Sequence, residues 1–187
     1  MLDNLLNLIK GNSKEAVTDN PVIPNEKNNL AVESAGASIL STLKNAVAGG
    51  NIQEVLAYFK KHAIGSASGR DEPIVKKATE DYSNSLQQDL QLDKTEASAI
   101  ADKVIPASMG QLAAKTVDPA DNSFSLQDIF DKLSGGKSDK INFQQMLQNF
   151  DGGKLDHNMD GKVDGADLKS MFSGDDGLIN KIKGFLK

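Results

Sequence analysis

The sequence predicts an all-α fold, a multihelical bundle or array with a small C-terminal loop-plus-helix appendage. Apolar residues recur at helical spacing along most of the chain, Gly, Pro and Asx signals interrupt them at helix-length intervals, and no stretch sustains the alternation of a strand. A chain of 187 residues can also bury a real core, hiding roughly 70% of the surface its unfolded form exposes.

Leu2, Leu5, Leu6 and Ile9 fall on one helical stripe, and Gly11-Asn12 is a stop signal. Residues 13–25 contain Asn20-Pro21 and Pro24-Asn25, so an irregular connection is expected before helix resumes near Glu26. A long run follows through Leu30, Ala31, Ala35, Ile39, Leu40, Leu43 and Val47 to Gly49-Gly50. Its Ser34-Ala-Gly-Ala-Ser38 stretch is thin enough for another helix to cross closely. Asn51 with Glu54 marks the next start, before Val55, Leu56, Tyr58 and Phe59, with failure near Gly65 and a mobile loop over 65–72.

Pro73 suits a first helical turn, and Ile74, Val75, Ala78, Tyr82, Leu86 and Leu90 carry the period to a break at Gln91-Leu-Asp. Asp93 with Glu96 opens another helix through Ile100 and Val104, and Pro106 is expected to divide it into two meeting at Ile105-Pro106. Asp118 to Ser123 reads as a polar turn, and Phe124, Leu126, Ile129, Phe130 and Leu133 as a short helix stopped by Ser134-Gly-Gly. Further helices are expected over 141–150, from about 164 to 172 and from Leu178. The domain division that results is 1–117 as a helical domain, 118–150 as its continuation in short helices, and 151–187 as the appendage.

Composition narrows the function classes. Cysteine is absent, which excludes disulfides, thiolate metal sites and thiol nucleophiles, and only His62 and His157 supply imidazoles. A net charge of −5 with a single arginine, Arg70, opposes nucleic-acid binding, which needs clustered basic residues. The first ten residues carry Asp3 and interrupting Asn4 and Asn7 where an export signal needs positive charge and an unbroken apolar run. No run of about 18 apolar residues exists, so a cytoplasmic protein is the expectation. His62, behind Lys60-Lys61 at a helix end, is placed to meet terminal carbonyls, and Tyr58 and Tyr82 read as packing residues. With no phosphate cradle, nucleophile elbow or carboxylate-histidine set legible, binding is expected and an enzyme is not.

The most specific motif lies between Asp156 and Asp167. Side-chain oxygens of Asp156, Asn158, Asp160, Asp164 and Asp167 fall at positions 1, 3, 5, 9 and 12 of a cation loop, the Lys162 carbonyl at 7 and Gly161 at the bend. Val163 would point into an apolar core, and Asp164 doubles as an N-cap for the exiting helix anchored by Leu168, Met171 and Phe172. His157 takes a non-ligand position. Four carboxylates around one point repel each other, and a divalent cation offsets that repulsion, so Ca2+ is the expected ligand with Mg2+ as competitor. Position 12 is aspartate where an EF-hand usually has glutamate, and Asp151-Gly-Gly-Lys separates the loop from the helix before it.

Residues 155–172, with the string Asp-Gly-Lys-Val-Asp-x-x-Asp-Leu at 160–168, therefore resemble a single dockerin-like, EF-hand-like calcium repeat. Over residues 90–136, Leu92-Asp-Lys-Thr-Glu-Ala, Ile105-Pro-Ala-Ser-Met-Gly-Gln-Leu and Asn122-Ser-Phe-Ser-Leu-Gln-Asp-Ile are similar to the YidB-like bacterial family of unknown function, as is the Met-Leu-Asp-Asn-Leu-Leu start. That resemblance implies a helical fold and, in some members, a C-terminal calcium-type loop, with no established activity. The expected function is a calcium-binding helical scaffold or binding protein, one Ca2+ holding residues 156–167 in a mainly structural role, with a protein partner left unspecified. The alternative is a metal-independent module that meets a protein or, ranked lower, a membrane surface through its amphipathic terminal helices. In the last of these, Leu178, Ile179, Ile182, Phe185 and Leu186 form one face.

Overall fold

In the computed structural model the described residues are 2–49, 51–62, 69–118, 120–121 and 123–133. They form six α-helices: α1 (Leu2–Asn12), α2 (Asn28–Ala48), α3 (Ile52–His62), α4 (Pro73–Leu90), α5 (Lys94–Val117) and α6 (Leu126–Leu133). No strand occurs among the described residues, and the all-α expectation is met. The helices expected over 141–150, 164–172 and from Leu178 lie outside them.

α5 is the hub. Its Ala97, Ile100, Val104, Ile105, Met109 and Leu112 are buried against the neighbouring helices, while Ala99, Asp102, Lys103 and Gln111 stay exposed on the other side. Its start is local chemistry: the Asp93 carboxylate accepts the Glu96 backbone N–H at 2.9 Å, which satisfies one of the orphan donors of the first turn. α4 lies against it as the other arm of a hairpin. The break between them is made by Gln91, whose φ of 60° puts it in the left-handed region that ends a helix. α2 packs on α4, α3 reaches α5 and α2, and α1 touches both α2 and α5.

Close approach of α1 to α2 depends on the thin stretch of α2. A Cβ at Gly36 would stand 3.1 Å from Leu6 Cδ2 and 3.5 Å from Ile9 Cδ1, so the two helices meet where α2 has no side chain. The apolar face of α1 is spent inside the molecule, with Leu5, Leu8 and Ile9 buried, while Leu2 at the end of the stripe is 53% exposed. Asn4 donates to the Ser123 carbonyl at 2.9 Å and Asn12 to Gln111 at 2.7 Å, fixing both ends of α1.

Three expectations need correction. α1 ends at Asn12, where the Gly11-Asn12 signal predicts, but 13–25 is not wholly irregular: Lys14–Thr18 form one π-helical turn and Asn25–Lys27 a 3-10 turn. The wider turn brings Ala16 and Val17 inward, and burying a valine contributes about 1.5–3 kcal/mol, enough to order this part of the connection. Pro106 does not divide α5, which continues through it as one helix of 24 residues. Pro106, Ile105, Ser108 and Met109 are all buried, so packing on both sides of the proline holds the two halves in line. Leu30, on the predicted stripe of α2, is 40% exposed, because α2 turns its Ala31 and Val32 toward the core instead.

Beyond α5, Asp118 and Asp121 each accept a backbone N–H two residues ahead, at 2.8 Å, and build the polar turn. Phe124, Ile129 and Phe130 then join the same apolar cluster as α1 to α5. No described helix is long and apolar enough to cross a membrane.

Gly36→Leu is expected to lose about 1–3 kcal/mol of stability by forcing α1 away from α2, whereas Gly36→Ala should stay within about 1 kcal/mol as helix propensity offsets the tight Leu6 contact. Urea denaturation followed by far-UV circular dichroism separates the two.

Candidate functional site

The six predicted cation ligands, Asp156, Asn158, Asp160, Lys162, Asp164 and Asp167, lie outside the described residues, as does His157. Among the described residues no group of three or more His, Asp or Glu side chains stands together as a metal site would require.

The chemistry-bearing groups that the fold does bring together lie at the corner between α3 and α4. Tyr58 and His62, one turn apart on α3, share a face, with ring centroids 4.6 Å apart and planes tilted by 37°. The chain returns over them at Gly69, whose φ of +54° is left-handed and whose missing Cβ would lie 2.8 Å from Tyr58 Cε2 and 2.9 Å from His62 Nε2. Only glycine satisfies both demands. A turn then forms, with the Glu72 N–H donating to the Gly69 carbonyl at 2.8 Å, and Glu72 becomes the extended N-cap residue of α4. Its carboxylate takes a hydrogen bond from Lys61 and stands 3.8 Å from His62 Nε2.

His62 thus departs from its predicted role. Its ring is 4% exposed and neither nitrogen has a hydrogen-bond partner among the described residues, so it meets no terminal carbonyl. Stacking on Tyr58 and the close backbone of Gly69 hold it inside instead. The Tyr58 and Tyr82 hydroxyls are likewise buried without partners, and burial pushes both phenols up, with the charge of Glu72 adding to the effect on Tyr58. Both tyrosines pack in the core as expected. The Lys61 hydrogen bond, helped by the charges of Lys61 and His62, holds the Glu72 carboxyl below the usual range against some desolvation.

An imidazole facing a carboxylate at 3.8 Å can exchange a proton or orient a polar group, yet this carboxylate is already engaged by Lys61. Two grooves flank the α4 region. One of about 460 Å³ runs between α4 and α5, bordered by Thr79, Glu80, Ser83, Asn84, Lys94 and Asp102. The other, about 300 Å³, is bordered by residues of α2, α3 and α4, among them Thr42, Glu54, Ile74 and Lys77. Both are open and mixed in charge. At the far end of α5, Lys115 pairs with Asp121 at 2.6 Å and, with hydrogen bonds from Ser123, lowers the Asp121 carboxyl to about 2.

Sequence reading missed Gly69 and Glu72 as partners of His62. The available signal was a lone glycine shortly before a Pro-initiated helix, which marks a turn but says nothing of what the turn covers. Compared with protein-family models, curated proteins and solved structures, the chain matches none.

Gly69→Ala is expected to cost about 1–3 kcal/mol, from the left-handed backbone and from displacement of Tyr58, read as a shift in the urea midpoint. The Asp121 contact has a defined pH window: its folded pKa, about 2, lies below the ordinary aspartate value of 3.8, so the stability it supplies is complete above 3.8 and is lost as pH falls through the folded pKa. A carboxyl carbon NMR titration should give a midpoint near 2 that returns toward 3.8 in Lys115→Ala.

Proposed function

We propose that the protein is a calcium-binding helical scaffold: a bundle built on α5, followed by a segment in which one Ca2+ is held by Asp156, Asn158, Asp160, the Lys162 carbonyl, Asp164 and Asp167. The observation that carries this reading is the spacing of five oxygen-bearing side chains and one glycine over twelve residues. The donor set fits the ion. All six ligands are hard oxygens with no nitrogen or sulfur among them, as calcium prefers, and the flexible coordination of calcium accommodates the shorter Asp167 better than the strict octahedron of magnesium does.

The role of the ion in this reading is structural. Bound calcium offsets the repulsion among four clustered aspartates and lets the backbone close around it, so metal affinity becomes stability of the C-terminal segment. The bundle then presents that segment to a protein partner, and binding rather than catalysis is the activity.

Calorimetric titration with calcium should show one site in the wild-type chain, weakened at least about tenfold in Asp160→Ala because a central carboxylate ligand is gone. Equal heats in both chains would remove the metal from the proposal.

A further inference from the structure

Proline inside a helix has two costs: it lacks the N–H that should bond to the carbonyl four residues earlier, and its ring crowds that carbonyl. For Pro106 the abandoned carbonyl is that of Asp102. The carbonyl, on the exposed side of α5, finds a partner from another segment. Arg70, the single arginine of the chain, donates from Nη2 to the Asp102 oxygen at 2.9 Å, across 32 residues of sequence.

We infer that Pro106 is a hinge in α5 latched by Arg70, so that the Gly69–Glu72 turn controls the alignment of the two halves of the central helix. Three observations converge on this device. The donor is a guanidinium, which makes a charge-assisted bond about twice as strong as a neutral one and cannot lose its proton. The turn that carries it is fixed on both sides of Arg70, by Gly69 against Tyr58 and His62 and by Glu72 on Lys61. The half of α5 beyond the hinge bears the outward contacts: Gln111 holds Asn12 of α1 at 2.7 Å, and Lys115 holds Asp121 at 2.6 Å. Arg70 is exposed, so a ligand or partner that competes for its guanidinium reaches it without unfolding the core. Engaging Arg70 from outside frees the Asp102 carbonyl, loosens the helix at Pro106 and relaxes the grip on the end of α1. A partner offering a carboxylate or phosphate to the guanidinium has the chemistry to do this.

The test is a double-mutant cycle read by amide hydrogen exchange. Arg70→Gln should speed exchange of the residue 107–113 amides about three- to tenfold, the range expected for losing one solvent-exposed hydrogen bond, and speed Lys10 to Asn12 in parallel. In a Pro106→Ala background the restored N–H serves Asp102, and the same Arg70→Gln change should then alter these amides less than about twofold. Arg70→Lys, which keeps a charged donor, should fall between wild type and Arg70→Gln. Equal acceleration in both backgrounds, or none in either, would overturn the latch.

Discussion

Everything in the bundle depends on the broad buried face of α5, against which α1, α3 and α4 pack. Ala97, Ile100, Ala101, Val104, Ile105, Leu112 and Ala113 form that face, while Asp102, Lys103 and Gln111 remain exposed on the other side. α4 folds back along it, α3 and α1 reach it from separate directions, and the turn after Val117 brings Phe124 and Phe130 to the same core. Small residues decide how near each neighbour comes. The alanines of α5 and Gly36 of α2 let backbones approach, while Tyr82, Phe59 and Phe130 fill the wider spaces.

This arrangement exposes what a buried helix with an internal proline must solve. Packing along Ile105 to Met109 keeps the helix continuous, but packing cannot satisfy a carbonyl. The Asp102 carbonyl lies on the exposed side, and the 69–72 turn supplies it a bond from another segment. The same turn closes over His62, so one short stretch performs three tasks: it covers an imidazole, pairs with Lys61 and caps α5 from outside. The cost is visible at the corner. His62 and Tyr58 are buried with polar atoms unpartnered, and each such group costs about 1–3 kcal/mol, which aromatic stacking and apolar burial around them must offset.

Helix positions were legible where their causes are local. Asp93 capping Glu96, Pro73 opening α4, Gly49 closing α2 and the Asp118–Asp121 turn are each decided by atoms within a few residues, and sequence reading located all of them. Gly36 was also legible as a thin spot, although its partner, Leu6, was not. Local signals were overridden where they compete with burial: 13–25 carries the polar and proline signals of an irregular link, yet a π turn forms and buries Val17, and Pro106 signals a break, yet α5 persists because both flanks are packed. His62 was misread for a related reason, since its surroundings are set by Gly69 and Glu72 returning from outside the helix.

The sequence by itself determined the helical class, most helix ends and the proposed cation-loop spacing, because hydrogen-bond capping, backbone geometry and ligand spacing act over a few residues and are written in consecutive letters. Tertiary structure alone decided which faces turn inward, that Leu8 is buried while Leu30 is exposed, that α5 stays whole, and that Arg70 and Asp102 meet. Those outcomes come from segments distant in sequence competing for the same apolar surface and the same unpaired carbonyl, a competition that exists only once the chain has packed.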